Sequence, residues 1–330
     1  KLKRLSKEDG GCSWMYDSSK CAPQEALRNL VDAFQNFFRR CHEGKGQKGF
    51  PRPKSRHRGI GSFTFSGLMK ATATTIQLPK LGVLRLKEHG YLPQDERITS
   101  ATVSEKAGRW FVSIRTDAEP HRALGSEILG VDVGSRKLAT LSDGTVFENP
   151  RALRSSAKRL RLLQKAVSRK VKGSKNRKKA VCRLARQHYR VSCVRKDAIH
   201  KATDVIAKRS RLVVIESLNV KGMMKNRRLS KSIADASMSE FHRCLKYKML
   251  WSGGQVIEAP QFFPSSKTCS CCGWIKQDLG FNETYECALC GRVLDRDLNA
   301  AINLRVLAES SSVTACGPEK MSDAGMKQEP

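Results

Sequence analysis

Two pairs of cysteines near the C-terminal end have the spacing of a metal site. The segments SKTCSCCGWIK and YECALCGRVLD each place two residues between cysteines and a Gly after the second, and fourteen residues separate the pairs. A CxxC turn lets two thiolates reach one ion, and the Gly relieves backbone crowding. Four protein ligands leave no open position, so the spacing predicts one structural zinc ion in a zinc ribbon. The predicted ligands are Cys269, Cys272, Cys287 and Cys290.

Cys271 is an alternative ligand in the first pair. Cys269 and Cys272 are preferred because they keep the two-residue spacing and place Gly273 after the second ligand. Zinc ribbons occur in polymerase factors, ribosomal proteins and nucleases, so the ribbon alone does not name a function. The other eight of the twelve cysteines are scattered, which favours reduced thiols over a disulfide framework.

Three carboxylates lie at unusual places. Asp132 interrupts the apolar run ILGVDVG, Glu216 ends LVVIESL, and Asp297 begins a helical pattern in DRDLNAAINL. A buried carboxylate is costly unless a cation or a donor satisfies it, and singly each is more often a hydrogen-bonded structural acid. Together they predict a site for two Mg²⁺ ions, which prefer hard oxygen ligands and can drive phosphodiester hydrolysis.

The charge balance predicts a polyanionic partner. Lys and Arg number 62 against 31 Asp and Glu, a formal net charge of +31. No unbroken apolar stretch approaches the length of a membrane span, and the first residues lack the apolar core of a signal peptide. We therefore expect a cytoplasmic protein associated with the nucleoid, with no membrane contact.

The elements that must position these groups can be predicted from periodicity. A helix is predicted from Pro23 to Arg40, and short apolar runs in residues 60–117 predict an antiparallel, barrel-like β domain. A strand through Asp132 and two further strands with a turn at Asp143-Gly144 come next. Two basic helices separated by GSKN follow, then the RLVVIESLNV strand, a helix to about Trp251, a short QVIEA strand, the cysteine segment and a last helix. The fold class is a mixed α/β, multidomain protein.

Taken in order, several segments resemble the TnpB family of insertion-sequence proteins, also called OrfB, in its zinc-ribbon form. They are GVDVGSRKLATLSDG, VVIESLNVKGMMKNRRLSKSIADASMSEF, FFPSSKTCSCCGWIK, YECALCG and DRDLNAAINL, across about residues 125–307. The resemblance implies an RNA-guided DNA endonuclease related to type V CRISPR effectors, with a RuvC (RNase H-like) domain. On it, Asp132, Glu216 and Asp297 match the catalytic, Mg²⁺-binding carboxylates. Asp295 is the rival for the third place, and Asp297 is preferred because it directly precedes the family's xNAA segment.

The resemblance also implies domains and partners. The expected partners are a guide RNA from the transposon end and a double-stranded DNA target. The expected domains are a remnant of the helical recognition region (1–48), a β-barrel wedge (49–124), a RuvC core with a basic helical hairpin (125–263), the zinc ribbon (264–292), a last RuvC segment (293–309) and a disordered tail (310–330).

Other expectations stay open at this point. Family members usually begin with a further strand and helices, so we expect either a fragment or a shortened variant. The alternative functions are an RNA-guided DNA-binding repressor without cleavage and a non-catalytic zinc-ribbon protein that binds nucleic acid. Phe262 and Phe263 could stack on a base, although packing of the ribbon against the nuclease core is favoured.

Overall fold

The computed structural model describes two compact units that divide between residues 119 and 120. The described residues are 19–44, 49–52, 61–67, 69–90, 96–118, 123–278, 280 and 282–315, with side chains to residue 310. Helices and strands are mixed in both units, which confirms the predicted α/β class. Across these residues, no helix combines the length and the apolar character needed to cross a membrane.

The first unit packs one helix against small antiparallel sheets. Its helix runs slightly beyond the predicted bounds, and its hairpin turns at Ala107-Gly108, where both residues have positive φ (56° and 75°) as a two-residue hairpin turn requires. The sheets have the orders β1-β5-β6 and β2-β3-β4, so the antiparallel prediction is confirmed and barrel closure stays a prediction. The elements are α1 (Cys21–His42), β1 (Ser62–Ser66), β2 (Lys70–Ala71), β3 (Thr75–Leu78), β4 (Gly82–Arg85), β5 (Ile98–Lys106) and β6 (Arg109–Thr116).

A five-stranded mixed sheet forms the centre of the second unit. The spatial order is β11-β10-β7-β8-β9, with β7, β8 and β9 antiparallel in succession and β10 and β11 parallel to β7. The predicted turn at Asp143-Gly144 joins β8 to β9, with Gly144 at φ 89°. The strands are β7 (Glu127–Asp132), β8 (Lys137–Leu141), β9 (Val146–Glu148), β10 (Ser210–Ile215) and β11 (Gln255–Glu258).

Helices cover both faces of this sheet. Both faces of β10 are therefore buried, which explains why its sequence is an unbroken apolar run. Val213 and Ile215 point to one face, where α3 and α6 pack, and Leu212 and Val214 point to the other, where α7 packs. The helices of this unit are α2 (Ala152–Ser168), α3 (Lys175–Arg209), α4 (Val220–Met223), α5 (Ser230–Ala236), α6 (Met238–Trp251) and α7 (Arg296–Ala315).

The predicted pair of basic helices is confirmed as α2 and α3. Gly173, at φ 85°, makes the turn between them, and the Ser174 hydroxyl caps α3 by accepting a hydrogen bond from the Arg177 amide at 3.1 Å. The two short helices α4 and α5 were not predicted, because one or two turns are too short to show a 3.6-residue period.

The last helix differs from its prediction at its C-terminal end. The apolar pattern fades near residue 309, yet α7 continues to Ala315, into the segment predicted to be a disordered tail. The backbone hydrogen bonds of a helix can continue past the last residue that packs on the core, so the apolar pattern marks the packed length only. Residues 316–330 of that predicted tail lie outside the described residues.

Candidate metal centres

Strand register brings the first two predicted acids together. In the parallel pair of β7 and β10, Val131 is the partner of Ile215, and the next residue on each strand is an acid, Asp132 and Glu216. Neighbouring strands lie about 4.8 Å apart, so both carboxyl groups emerge at the same end of the sheet.

A backbone contact brings the third acid to the same place. A Cβ atom on Gly130 would lie 1.9 Å from the carbonyl oxygen of Ala301 and 2.5 Å from the amide of Arg305, so α7 packs directly on the β7 backbone. Ala301 is fully buried at this contact. Asp297, in the first turn of α7, is thereby carried to the end of β7 that bears Asp132.

The pKa of Asp132 reports this convergence. Burial raises it well above its usual range, and the carboxylates of Glu216 and Asp297 raise it further. The carboxylates of Glu216 and Asp297 thus lie close enough to Asp132 to oppose its ionisation, an effect that a bound cation would offset. All three side chains offer hard oxygen donors, the ligand type that Mg²⁺ prefers.

Asp295, the rival for the third place, has a different role in the structure. Its carboxylate accepts hydrogen bonds from the amides of Asp297 (3.0 Å) and Leu298 (3.2 Å), which makes it the cap of α7. The Lys137 ammonium lies 2.5 Å from Asp295 and 3.8 Å from Asp297. Although burial raises the pKa of Asp295, the Lys137 hydrogen bond and the amides outweigh it and lower that pKa. The carboxylate of Asp295 thus caps α7 and pairs with Lys137.

Two residues of this site were not predicted. Lys137 begins β8, and Ser265 is buried and donates a hydrogen bond to the Glu216 carboxylate. Lys137 follows GVDVG by three residues, at the start of the strand that pairs with β7. The end of β7 and the start of β8 lie at the same edge of the sheet, so this lysine could have been noticed as a partner for the acids. Nothing in the sequence pairs Ser265 with Glu216, since 49 residues separate them.

The four predicted cysteines also converge. Their sulfur atoms all lie within 4.8 Å of one another, with Cys269 and Cys290 sulfurs 3.7 Å apart and Cys272 and Cys287 sulfurs 3.6 Å apart. Four sulfurs each about 2.3 Å from a tetrahedral zinc ion would be about 3.8 Å apart, and disulfide sulfurs about 2.05 Å apart. The cluster therefore fits a tetrahedral metal ion.

The two cysteine turns repeat one geometry. Gly273 and Gly291 have φ of 75° and 71°, and each donates its amide to the carbonyl of the first cysteine of its turn at 3.0 Å. Amide hydrogen bonds from Cys290 and Leu289 lower the pKa of Cys287 to about 6, while hydrogen bonds among the thiols raise the pKa values of Cys272 and Cys290, so the four thiols share their protons. Cys271, the alternative ligand, is exposed and is not in the cluster.

Buried asparagines of α7 tie the first cysteine turn to the carboxylate site. Asn299 donates to the Thr268 carbonyl at 2.7 Å and accepts from the Ser270 amide at 2.9 Å. Asn303 donates to the carbonyls of Ser265 (2.8 Å) and Thr268 (2.7 Å). The cysteine cluster lies between β11 and α7, with the hairpin β12 (Thr284–Glu286) and β13 (Val293–Asp295) completing it. The segment that donates to Glu216 and the helix that carries Asp297 are thus held to one another.

The two phenylalanines before the cysteines have different surroundings. Phe263 packs with Leu304 and Ala308 of α7, which confirms the packing interpretation for this residue. Phe262 is 94% exposed and has φ 99°, a backbone conformation that is strained for any residue but glycine. The packing interpretation is therefore wrong for Phe262, and base stacking by this residue stays a prediction.

Comparisons with known proteins agree on one family. The family described as "Probable transposase" (OrfB_IS605) matches residues 111–227, and "Cas12f1-like, TNB domain" matches residues 239–304. A protein of Streptomyces pristinaespiralis named "Putative RNA-guided DNA endonuclease" is 36% identical over 96% of this chain and 80% of its own length. A protein of Escherichia coli K12, "Putative RNA-guided DNA endonuclease InsQ", is 34% identical over 96% of this chain and 81% of its own length.

A more distant likeness is found among solved structures. The structure titled "Cryo-EM structure of CRISPR-Cas12f Ternary Complex" aligns with a TM-score of 0.41 at 21% identity, over 64% of this chain and 46% of the other. The sequence relationships identify the family without it. On these relationships, the chain belongs to the TnpB (OrfB) family of insertion-sequence proteins.

Proposed function

We propose that this protein is an RNA-guided DNA endonuclease of a transposable element, which cuts target DNA in a single RuvC-type site. The observation that carries the proposal is the convergence of Asp132, Glu216 and Asp297 from β7, the end of β10 and the start of α7. The names of the relatives from S. pristinaespiralis and E. coli agree with it.

The residues of the chain have distinct tasks in this proposal. The three carboxylates would hold Mg²⁺, which would activate water and neutralise the departing oxyanion. Ser265 fixes one oxygen of Glu216, and Lys137 holds Asp295 against the first turn of α7, so that Asp297 keeps its orientation. Two Mg²⁺ ions suit three carboxylates that share one edge of a sheet.

The remaining assignments follow the same proposal. The cysteine cluster holds one structural zinc ion, and the zinc ribbon (264–292) is inserted between the RuvC core (125–263) and its last segment (293–309). Residues 1–48 are the recognition-region remnant and 49–124 the wedge. Guide RNA from the transposon end supplies sequence specificity by pairing, and the many cations hold the duplex backbones.

Cleavage by a carboxylate variant tests this proposal. RNA copurified with the full chain is sequenced, and a plasmid carrying the matching target is incubated with the purified complex and Mg²⁺. We expect linearisation by the wild type and none by Asp132→Ala, with unchanged RNA copurification. The matched control is Asp197→Ala, an acid that is 62% exposed and pairs with Lys201 four residues on, and it should cut normally.

The other outcomes separate the alternatives. Cleavage retained by Asp132→Ala would refute the assignment of the acid. Tight binding of the matched plasmid without cutting by the wild type would favour a repressor. Copurification of random RNA with no matched target would favour a non-catalytic protein that binds nucleic acid through charge alone.

A further inference from the structure

A cavity of about 520 Å³ lies in the second unit, beside the carboxylate site. Three separate stretches line it: the loop that follows Asp132, the stretch from Asn149 into the first turns of α2, and the stretch from Arg228 through α5. A volume of this size is in the range of small-ligand sites.

The wall of this cavity is strongly cationic. Five basic residues contribute to it, and among the described residues only Arg136 is paired with a carboxylate, that of Glu283. The other four basic residues are exposed side chains from three elements: Arg151, Arg154, Arg228 and Lys231.

The one carboxylate in the cavity wall does not neutralise these cations. Asp235 is buried and accepts hydrogen bonds from the amides of Leu153 (2.9 Å) and Arg154 (3.1 Å) and from the Arg195 guanidinium (2.9 Å). Its charge is therefore balanced by Arg195 and by the start of α2. The cavity keeps a net positive charge that an anion would offset.

The chain itself fixes how near the cavity lies to the acids. Arg136 is four residues after Asp132, and the adjacent residue, Lys137, contacts Asp295 and Asp297. Consecutive Cα atoms are 3.8 Å apart, so the Cα atom of Arg136, on the rim of the cavity, lies within about 15 Å of that of Asp132. A polyanion held in the cavity would continue into that site.

Part of the wall is apolar, which distinguishes this cavity from a plain cationic surface. Leu153 and Ala157 of α2 line it together with Leu229, which is 49% exposed. Cations suit a phosphate, and an apolar wall suits the face of a sugar or base.

We propose that this cavity binds one nucleotide of the DNA strand being cut, next to the phosphate that is hydrolysed. The inference rests on the proposed function for the identity of the strand, because the cavity lies near the acids. Arg154, Arg228 and Lys231 contact the phosphate backbone, and the leucines contact the nucleoside. The cavity thus sets which phosphate reaches Asp132.

Binding of a labelled oligonucleotide tests the cavity independently of cleavage. The full chain carrying Asp132→Ala is titrated with fluorescein-labelled oligodeoxythymidylate at several salt concentrations. The triple variant Arg154→Ala, Arg228→Ala, Lys231→Ala should bind at least about tenfold more weakly. Its log-log salt slope should fall by about 0.7 to 1.4, since one nucleotide is flanked by two phosphates and each single-strand phosphate contact contributes about 0.7.

A charge-matched variant is the control. Lys201, Lys208 and Lys246 are 75%, 69% and 50% exposed and lie on α3 and α6, outside the cavity wall. Their triple replacement by Ala removes the same net charge and should weaken binding far less. Equal losses in the two triple variants would refute the cavity as a site and leave only general charge attraction.

Two further measurements guard against misfolding and misassignment. The charge-keeping variant Arg154→Lys, Arg228→Lys should recover most of the binding, and failure to recover would contradict phosphate contact. A larger loss with oligouridylate than with the DNA oligomer would assign the cavity to guide RNA and overturn the proposal. If the wild type cuts no target, the proposed function fails while these titrations still decide whether the cavity binds the oligomer.

Discussion

Among single residues, a buried carboxylate stabilises a fold only when its neighbours donate to it, and Asp235 is such a group. It joins α5 to the start of α2, where no side chain of α2 itself caps the helix, and to Arg195 of α3. Because one acid satisfies amides and a guanidinium on two other helices, its loss should loosen all three.

We predict that Asp235→Ala lowers the free energy of unfolding by about 3 kcal/mol, because Arg195 and two helix amides lose a buried partner. Urea unfolding followed by circular dichroism measures this loss. Asp197→Ala, which breaks only an exposed pair with Lys201, should change the same quantity by less than about 0.5 kcal/mol. Similar losses in the two variants would contradict the capping role.

Asp143 gives a pH-dependent prediction. Burial alone would raise its pKa, but hydrogen bonds from the Thr145 amide and the Arg209 guanidinium outweigh this effect and lower it. A lowered folded-state pKa stabilises the protein above the unfolded value of about 3.9, and that contribution is lost as pH falls through the folded pKa. The gap in unfolding free energy between wild type and Asp143→Asn should therefore shrink from pH 7 to pH 3.5 in urea titrations. A gap that stays constant would contradict this.

At the scale of elements, side-chain hydrogen bonds join the loop of the first cysteine turn to α7. Asn299 and Asn303 fix the loop from Ser265 to Ser270 on the helix that carries Asp297. Loss of order around the cysteine cluster should therefore also disturb Glu216 and Asp297, although neither acid belongs to the cluster.

We predict that Cys287→Ser lowers both zinc content and cleavage, because it removes one ligand of the cluster. Asn299→Ala should keep the zinc and still lower cleavage about tenfold, the lower end of what outer-shell partners of a metal site contribute. Elemental analysis and plasmid cleavage measure the two quantities. Cys271→Ser is the matched control and should leave both unchanged, since Cys271 is exposed and outside the cluster. Full activity in zinc-free protein would contradict the link.

Comparison of these elements with their sequence shows which features were predictable. Asp132 and Glu216 were noticed because a charged residue stands out in or at the end of an apolar strand, Asp297 because it directly precedes the xNAA segment of the family, and the cysteines because their ligand spacing is local. Lys137 could have been noticed as a partner for the acids, whereas Ser265 and the two asparagines could not, because their roles depend on contacts between segments far apart in the chain. The sequence already favours Asp297 over Asp295 by its place directly before the xNAA segment, and the structure adds that Asp295 caps α7.

For the whole molecule, the net charge of +31 governs the long-range attraction of polyanions and does not determine the fold. We predict that binding of an unmatched DNA duplex falls steeply with salt, with a log-log slope of about −0.9 for each phosphate contacted. A matched duplex should depend less on salt, because guide pairing adds a term that the protein's charge does not supply. Equilibrium binding of both duplexes across a salt series measures the slopes. Equal slopes and affinities would argue against guided recognition.

The order of elements along the chain was predictable at this scale, and the arrangement within each unit was less so. Alternating and unbroken apolar runs predicted the strands of the second unit, while their order in the sheet depends on pairings that no local pattern encodes. The closure of the strands in the first unit depends in the same way on pairing between distant segments.

Gly130 has a consequence for how this protein could be altered. Where two elements meet through side chains, a larger side chain on one element can be accommodated by a smaller side chain on the other. At Gly130 the strand meets the carbonyl of Ala301 and the amide of Arg305, atoms that every amino acid carries. No second mutation can make room there, so variation that preserves the spacing of Asp132 and Asp297 must leave this one position untouched.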